Sequence, residues 1–158
     1  MNNKKIAVFP GSFDPITKGH ESIILKALDI FDEIIIGVGI NSTKKYYFSL
    51  EKRVALINKT FEDYPNVKVM CYEGMTVDFC KQVNSRFIVR GLRNSTDFEF
   101  EKSIALTNNL IDKNIETVLL LTDVVYSAVN STLIREILSN GGDPSLFVPS
   151  KIKDLLHI

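Results

Sequence analysis

Apolar runs of strand length alternate with amphipathic stretches along almost the whole chain. Residues 33–40, EIIIGVGI, form a β-branched run too continuous for a half-exposed strand, which predicts a central strand of a parallel sheet. Residues 21–31 place apolar side chains at helical spacing, which predicts an amphipathic helix before that strand. The predicted strands are 5–9, 33–40, 67–72, 87–89 and 117–121, and the predicted helices are 21–31, 49–60, 76–83, 96–111, 131–138 and a short one from about 150.

Capping residues indicate where these elements begin. Ser49 can cap the second helix, and residues 96–99, TDFE, fit a capping box that opens the fourth. Asn130 or Ser131 can cap the fifth. The alternation predicts an α/β fold, a doubly wound parallel sheet, in a single domain over residues 1–158. Ligands of such sheets bind beyond the carboxyl ends of the strands.

Composition narrows the classes of function. Lysine plus arginine equal aspartate plus glutamate at 19 each, so the formal net charge is zero, and we expect neither nucleic acid nor a membrane as a partner. No apolar run approaches the ~20 residues that cross a bilayer. Residues 1–5 lead into a strand rather than a signal-peptide core, so a cytoplasmic location is expected. Cys71 and Cys80 are expected to be reduced, partly buried thiols, and a structural zinc site is not expected.

Residues 9–20, FPGSFDPITKGH, form the most informative motif. They join the first strand to the first helix through a Gly- and Pro-rich turn, which points backbone N–H groups and a helix N-terminus at an anion. Gly11 permits a close approach of the backbone, Ser12 offers a hydroxyl, and His20 can donate to phosphate oxygens. An ordinary turn in which His20 only caps the helix is the alternative, but the combination of GSFDP with TKGH favours a phosphate site.

Further polar clusters also follow strands. Lys44, after the second strand, can reach an anion, or it lies exposed in a solvated loop. Arg90 and Arg93 follow the fourth strand and can bind phosphate bidentately, or they are ordinary surface charges. Glu101 is equally consistent with a solvated helix charge. Residues 126–132 end at a helix N-terminus that can hold a second phosphate-bearing group, with simple capping as the alternative.

Together these residues give the chain a close resemblance to a known family. Residues 10–15 and 17–20 match the nucleotidyltransferase superfamily with the T-x-G-H signature. The run RGLRNSTDFE at 90–99 narrows the resemblance to the bacterial phosphopantetheine adenylyltransferases. That family implies a Rossmann-like fold with a five-stranded parallel sheet. It also implies transfer of the adenylyl group of ATP to 4'-phosphopantetheine in coenzyme A biosynthesis, with Mg²⁺ as cofactor and a homohexamer as the assembly.

The resemblance also implies roles by position. His20 would stabilise the transition state, with Lys44 and Arg93 as further catalytic residues. The acceptor would bind Ser12, Lys44, Thr76 and Arg90. The residues expected to contact ATP are Ser12, Phe13, His20, Gly91, Leu92, Arg93, Glu101, Tyr126, Ser127, Ala128, Val129, Asn130, Ser131 and Thr132. No protein ligand for a metal is expected.

Two positions depart from the family pattern, and other functions compete. Asn130 stands where the family has a serine, and Thr76 where relatives carry an apolar residue. Another nucleotidyltransferase, acting on nicotinate mononucleotide or glycerol phosphate, would share only the first motif. A catalytically silent nucleotide-binding module is the alternative from a different class. Loss of His20 or the arginines would have favoured that module, and all are present.

Overall fold

Five parallel strands form the centre of the molecule. They are β1 (Ile6–Gly11), β2 (Glu33–Ile40), β3 (Val67–Glu73), β4 (Phe87–Leu92) and β5 (Glu116–Leu121), in the spatial order β3-β2-β1-β4-β5. The computed structural model describes residues 4–157. The chain builds outward from β1 to β3 and then returns to build β4 and β5 on the other side of β1. The predicted doubly wound parallel sheet is therefore confirmed, and the strand order reverses between β1 and β4.

Helices connect the strands. They are α1 (Lys18–Leu28), α2 (Leu50–Thr60), α3 (Thr76–Gln82), α4 (Ser95–Ile111) and α5 (Ser131–Ser139), with 3₁₀ turns at Val124–Tyr126 and Ser150–Leu155. None of the helices within residues 4–157 combines the length and hydropathy needed to cross a bilayer. The prediction about the amino-terminal segment involves residues 1–3, which lie outside the described residues.

Alternating side chains of the strands build two cores. In β2, Ile34 and Ile36 belong to the larger core together with α1 and α2, whereas Ile35 belongs to a smaller core with Phe79 and Cys80 of α3. Because successive side chains of a strand point to opposite faces, the two cores lie on opposite sides of the sheet. The continuous apolar run of β2 is explained by this double coverage, since its first six positions are all buried.

Two helix starts differ from their predictions. The helix α1 begins at Lys18 rather than at residue 21, because Thr17 is its N-cap and forms a capping box with His20. The capping box predicted at residues 96–99 is wrong. The side chain of Asn94 caps α4 instead, accepting a hydrogen bond from the backbone N–H of Asp97 at 2.9 Å. For α5, Asn130 rather than Ser131 is the N-cap.

The two cysteines lie in different environments. Cys80 is buried, and its burial raises the pKa of the thiol to about 11. Cys71 is exposed on β3, so the prediction that it is partly buried is wrong. β3 is an edge strand, and the alternation of partly buried and exposed side chains along it is interrupted where Met70 and Cys71 are both exposed.

Candidate active site

Two adjoining cavities open at the carboxyl edge of the sheet, where the strand order reverses. We call the smaller one, of about 360 Å³, the histidine cavity; Phe13, His20, Gly91, Arg93 and residues 129–132 lie on its wall. We call the larger one, of about 630 Å³, the tyrosine cavity; Tyr46, Tyr72, Thr76 and Ala105 lie on its wall. The two cavities share a boundary, formed by Pro10, Gly11, Ser12, Lys44, Arg90 and Glu101.

The shared boundary brings two cations to one turn. Lys44 Nζ donates to Ser12 Oγ at 3.3 Å, and Arg90 Nη1 donates to the carbonyl oxygen of Pro10 at 2.6 Å. Lys44 comes from the loop after β2 and Arg90 from β4, so the strands on either side of β1 supply one charge each. An anionic group that passes from one cavity to the other therefore meets positive charge from both sides.

Glu101 of α4 orients Arg90. Its carboxylate binds the guanidinium in two places, at 2.7 Å from Nη2 to Oε1 and at 2.9 Å from Nε to Oε2. Glu101 is only 6% exposed, so the alternative of a solvated helix charge is wrong for this residue. Two parallel bonds fix the plane of the guanidinium, which leaves its direction set before any ligand arrives.

His20 lies in the first turn of α1, and its ring makes T-shaped contacts with the rings of Phe9 and Phe13. Its backbone N–H donates to Thr17 Oγ1 at 3.2 Å, and its Nδ1 accepts from the backbone N–H of Thr17 at 3.1 Å. Burial, followed by the positive charges of Arg90 and Arg93, lowers the pKa of His20 from 6.5 to about 4. The imidazole is therefore neutral near pH 7, and because Nδ1 is an acceptor the proton lies on Nε2.

This geometry unites two interpretations of His20. It caps the helix, as the simpler alternative held, and it also faces the histidine cavity. The capping bond uses Nδ1 alone, and it leaves Nε2–H as a hydrogen-bond donor. The ring is thereby held in one tautomer by the helix start itself.

Arg93 is held in place by Asp97, which lies in the first turn of α4. Its Nε and Nη2 bind Asp97 at 2.9 and 3.0 Å, and Asp97 also accepts from the backbone N–H of Arg93. The hydrogen bonds from Arg93 lower the pKa of Asp97, and those to Asp97 raise the pKa of Arg93. Arg93 lies on the wall of the histidine cavity with a fixed guanidinium, as the prediction of a phosphate ligand requires.

Only part of the predicted polar segment 126–132 lies on the wall of the histidine cavity. Val129, Asn130, Ser131 and Thr132 lie on the wall of the histidine cavity, at the N-terminus of α5. The other predicted ATP contacts lie on the wall of neither cavity: Leu92 is buried, Tyr126 packs against the larger core, and Ser127 and Ala128 are exposed.

Thr76 lies in the tyrosine cavity, and its hydroxyl is 2.9 Å from that of Tyr72. Gly91 has a packing reason besides its place in the histidine cavity. A Cβ at this position would lie 2.8 Å from Cγ1 of the buried Ile23, so glycine allows α1 to approach β4.

Sequence reasoning missed Asp14 and Arg135. The buried carboxylate of Asp14 accepts from the backbone N–H groups of Tyr47 and Phe48, each at 2.8 Å, which ties the loop of Lys44 to the turn after β1. Arg135 lies on the wall of the histidine cavity and donates to the carbonyl oxygen of Asp14 at 2.8 Å. Its position one helical turn after Thr132 was a signal for the same face of α5.

The polar groups of both cavities suit the positioning of phosphates. Cations, hydroxyls and a helix N-terminus converge, whereas the carboxylates of Asp97 and Glu101 are each bound to an arginine. No group of three or more His, Cys, Asp or Glu side chains within residues 4–157 is arranged to hold a metal ion. The arrangement can align two anions and stabilise charge that develops between them.

Comparison with known proteins is consistent with this geometry. The model of the cytidylyltransferase-like family matches residues 8–137. A phosphopantetheine adenylyltransferase of Flavobacterium psychrophilum is 52% identical over 147 residues, which are 93% of this chain and 97% of that protein. One of Lachnoclostridium phytofermentans is 47% identical over 153 residues, 97% of this chain and 94% of that protein. A solved structure from Vibrio parahaemolyticus, provisionally named a nicotinate-nucleotide adenylyltransferase, shares the fold at a TM-score of 0.75 and 23% identity, covering 98% of this chain and 92% of that one.

Proposed function

The chain belongs to the cytidylyltransferase-like family and within it to the phosphopantetheine adenylyltransferases, and on this premise we propose that it transfers the adenylyl group of ATP to 4'-phosphopantetheine. The products are dephospho-coenzyme A and pyrophosphate. The single observation that supports this best is the cationic boundary of Ser12, Lys44 and Arg90 between two cavities. Such a boundary suits a reaction in which two phosphate-bearing substrates meet end to end.

The reaction needs no nucleophile from the protein. An oxygen of the acceptor phosphate attacks the α-phosphorus of ATP, the bond from that phosphorus to the bridging oxygen breaks, and its electron pair leaves with pyrophosphate. The protein must align two anions that repel each other and stabilise charge on the oxygens of the transferred phosphoryl group. The convergence of cations and N–H donors supports this mechanism.

We assign the acceptor to the tyrosine cavity, with its phosphate at Ser12, Lys44 and Arg90. Thr76 lies where it can contact the remainder of the acceptor. ATP is assigned to the histidine cavity, with Arg93 and the N-terminus of α5 on its phosphates. The acceptor phosphate then lies at the boundary, next to the α-phosphorus.

His20 is the proposed donor to the transferred phosphoryl group. Its Nε2–H is not used by the capping box, and the ring stays neutral near pH 7. A hydrogen bond from Nε2–H to an α-phosphoryl oxygen becomes stronger as that oxygen gains charge, which stabilises the transition state selectively.

Magnesium enters in this proposal with the nucleotide, as the ion of MgATP. Of the three carboxylates on the wall of the histidine cavity, Asp97 and Glu101 are engaged by arginines and Asp14 by two backbone N–H groups, so the phosphate oxygens of ATP are the better ligands for this hard cation. The ion would offset part of the negative charge of the triphosphate. Chelation of Mg²⁺ is accordingly expected to abolish turnover.

Assembly and location complete the proposal. Homohexamer formation is supported by an apolar surface on α4, where Phe100, Leu106 and Leu110 are 64%, 60% and 73% exposed. A cytoplasmic location is supported by the proposed substrates, which are phosphorylated metabolites of the cell interior.

The deciding experiment measures pyrophosphate release from MgATP with separate acceptors. We expect release with 4'-phosphopantetheine, together with a product of the mass of dephospho-coenzyme A. Release only with nicotinate mononucleotide or glycerol phosphate would contradict the proposal. ATP binding without release in the presence of phosphopantetheine would favour a non-catalytic nucleotide-binding module.

A further inference from the structure

Arg53 of α2 is a buried charge next to the active site but on the wall of neither cavity. Its side chain is only 2% exposed. Within residues 4–157 the one hydrogen bond it makes goes to a neutral group, from Nη1 to the carbonyl oxygen of Ser12 at 2.6 Å. Its Nε is buried and lacks a hydrogen-bond partner among those residues.

The guanidinium also stacks on an aromatic ring. Its Cζ lies 3.9 Å from the ring centroid of Tyr46, which is within the range of a cation–π contact. Lys44 Nζ lies 5.5 Å from the same centroid. Tyr46 therefore connects the buried guanidinium of Arg53 to the loop that presents Lys44 to the acceptor.

Arg53 joins two segments that are separate in the chain. Ser12 belongs to the turn after β1, and Lys44 belongs to the loop after β2. Arg53 bonds to the first segment and stacks on the second, and Lys44 Nζ is 3.3 Å from Ser12 Oγ. Within that loop, the bonds of Asn41 with Thr43 and Lys44 are local, and the bonds that reach Asp14 start only at Tyr47 and Phe48, after Tyr46.

Stability alone does not explain an arginine at this position. Burial of a charged side chain with an unpartnered donor is costly, and an apolar side chain of similar volume would pack in the same helix at lower cost. The neighbouring inward positions of α2, Leu56 and Ile57, are apolar. The arginine is therefore better explained by the two groups that it holds than by its packing.

We propose that Arg53 is a positioning residue for the acceptor phosphate. It holds Ser12 by its carbonyl and Lys44 through the ring of Tyr46, so that the two acceptor ligands keep their spacing before the substrate arrives. This inference rests on the proposed function. It adds Arg53 and Tyr46 to the acceptor side of the reaction and makes no change to the ATP side.

The test compares steady-state kinetics of Arg53→Met and Tyr46→Leu with the wild-type enzyme. We expect each to raise the KM for phosphopantetheine about tenfold, the scale of losing a desolvated cation–π contact. Any fall in kcat should be smaller than the rise in this KM. The KM for MgATP should change by less than about twofold, because the contacts of Arg53 with Ser12 and Tyr46 involve neither Arg93 nor the N-terminus of α5, which are assigned to the phosphates of ATP. Lys59→Met removes one charge from the exposed end of the same helix and should leave all three parameters unchanged.

Tyr46→Phe is the matched control for Tyr46→Leu. It keeps the ring face, so its KM for phosphopantetheine should be close to that of the wild type. An unchanged KM for phosphopantetheine in either folded variant overturns the inference, and so does an equal rise in both KM values. Tyr46→Leu decides alone if Arg53→Met does not fold, since Tyr46 is only partly buried. A wild-type enzyme that releases no pyrophosphate with phosphopantetheine contradicts the proposed function instead, which separates the two failures.

Discussion

His20 shows how the position of one side chain sets its chemistry. The bond from the Thr17 N–H to Nδ1 fixes the tautomer, and burial with two nearby arginines lowers the pKa to about 4. The same ring is thus a helix cap, a neutral group and a hydrogen-bond donor. A proton-transfer role near pH 7 does not suit such a ring, whereas donation to a phosphoryl oxygen does.

Replacement of His20 should separate catalysis from folding. We expect His20→Ala to lower kcat by about 100-fold or more, the scale of losing one donor to a developing oxyanion. Loss of the capping partner should cost only about 1 kcal/mol in the free energy of unfolding. Steady-state kinetics and thermal unfolding measure the two effects, and a folded variant with near-wild-type turnover would rule out the role of His20.

The lowered pKa of His20 also predicts a pH dependence of stability. Between about pH 4 and 6.5 the unfolded chain binds a proton at this ring that the folded chain does not, so acid favours unfolding. The free energy of unfolding should fall as the pH drops through this window and recover above it. Urea denaturation at pH 5 and pH 7 should show a larger loss for the wild type than for His20→Gln. An equal loss in both proteins would contradict the shift.

At the scale of elements, the sequence predicts the strands and helices that a repeating pattern of apolar side chains indicates. It misses boundaries that depend on a single local hydrogen bond. The continuous apolar run of β2 identified a central strand, because coverage on both faces leaves no polar side chain between Ile34 and Ile40. The start of α4 was misplaced, because Thr96 and Asn94 both have side chains that can cap a helix. Only the backbone decides between them, and it is extended at Asn94, with φ −156° and ψ 178°.

For the candidate site too, the sequence predicts some residues by their position after strands and misses the partners that hold them. Lys44, Arg90 and Arg93 could be predicted because each lies near the carboxyl end of a strand, where the edge of the sheet brings distant loops together. Arg90 itself lies within β4, because that strand continues to Leu92 and does not end at residue 89 as predicted. The partners of these cations were harder to predict. Glu101 lies on the next helix from Arg90, and Arg53 comes from a helix whose apolar stripe gives no reason for a buried charge.

The corrected cap of α4 makes a direct prediction. Asn94→Ala removes the side-chain acceptor for the backbone N–H of Asp97 and should lower the free energy of unfolding by about 1 kcal/mol. Thr96→Ala, two residues further along, is the matched control and should change it by much less. Chemical denaturation of both variants measures the difference, and a larger loss in Thr96→Ala would restore the capping box at 96–99.

At the scale of the whole molecule, the order of the strands determines where the two cavities lie, whereas the exposed apolar surface of α4 concerns the proposed assembly. Around the reversal between β1 and β4, the segments that follow all five strands line the two cavities. The apolar side chains of Phe100, Leu106 and Leu110 lie on the outer helix α4 and are largely exposed. Exposed apolar patches on α/β proteins of this size are commonly covered by another chain, here a second copy in the proposed homohexamer.

Charge placed on this surface should therefore change the assembly. We expect the double variant Leu106→Glu with Leu110→Glu to have the mass of a smaller species than the wild type, because burial of two carboxylates opposes association. Asn58→Glu, on the exposed side of α2, adds the same kind of charge elsewhere and should leave the mass unchanged. Light scattering at matched concentrations measures both. A wild type that is monomeric would contradict the homohexamer itself.

The boundary shared by the two cavities limits how the enzyme can be redesigned. A residue such as Ser12 or Arg90 borders both cavities, so under the proposed assignment a change made there to accommodate a new acceptor also alters the binding of the nucleotide. Tyr72 and Thr76 border only the larger cavity. Directed evolution towards a different acceptor should therefore begin with libraries at these two positions, where selection can act on one substrate without a penalty on the other.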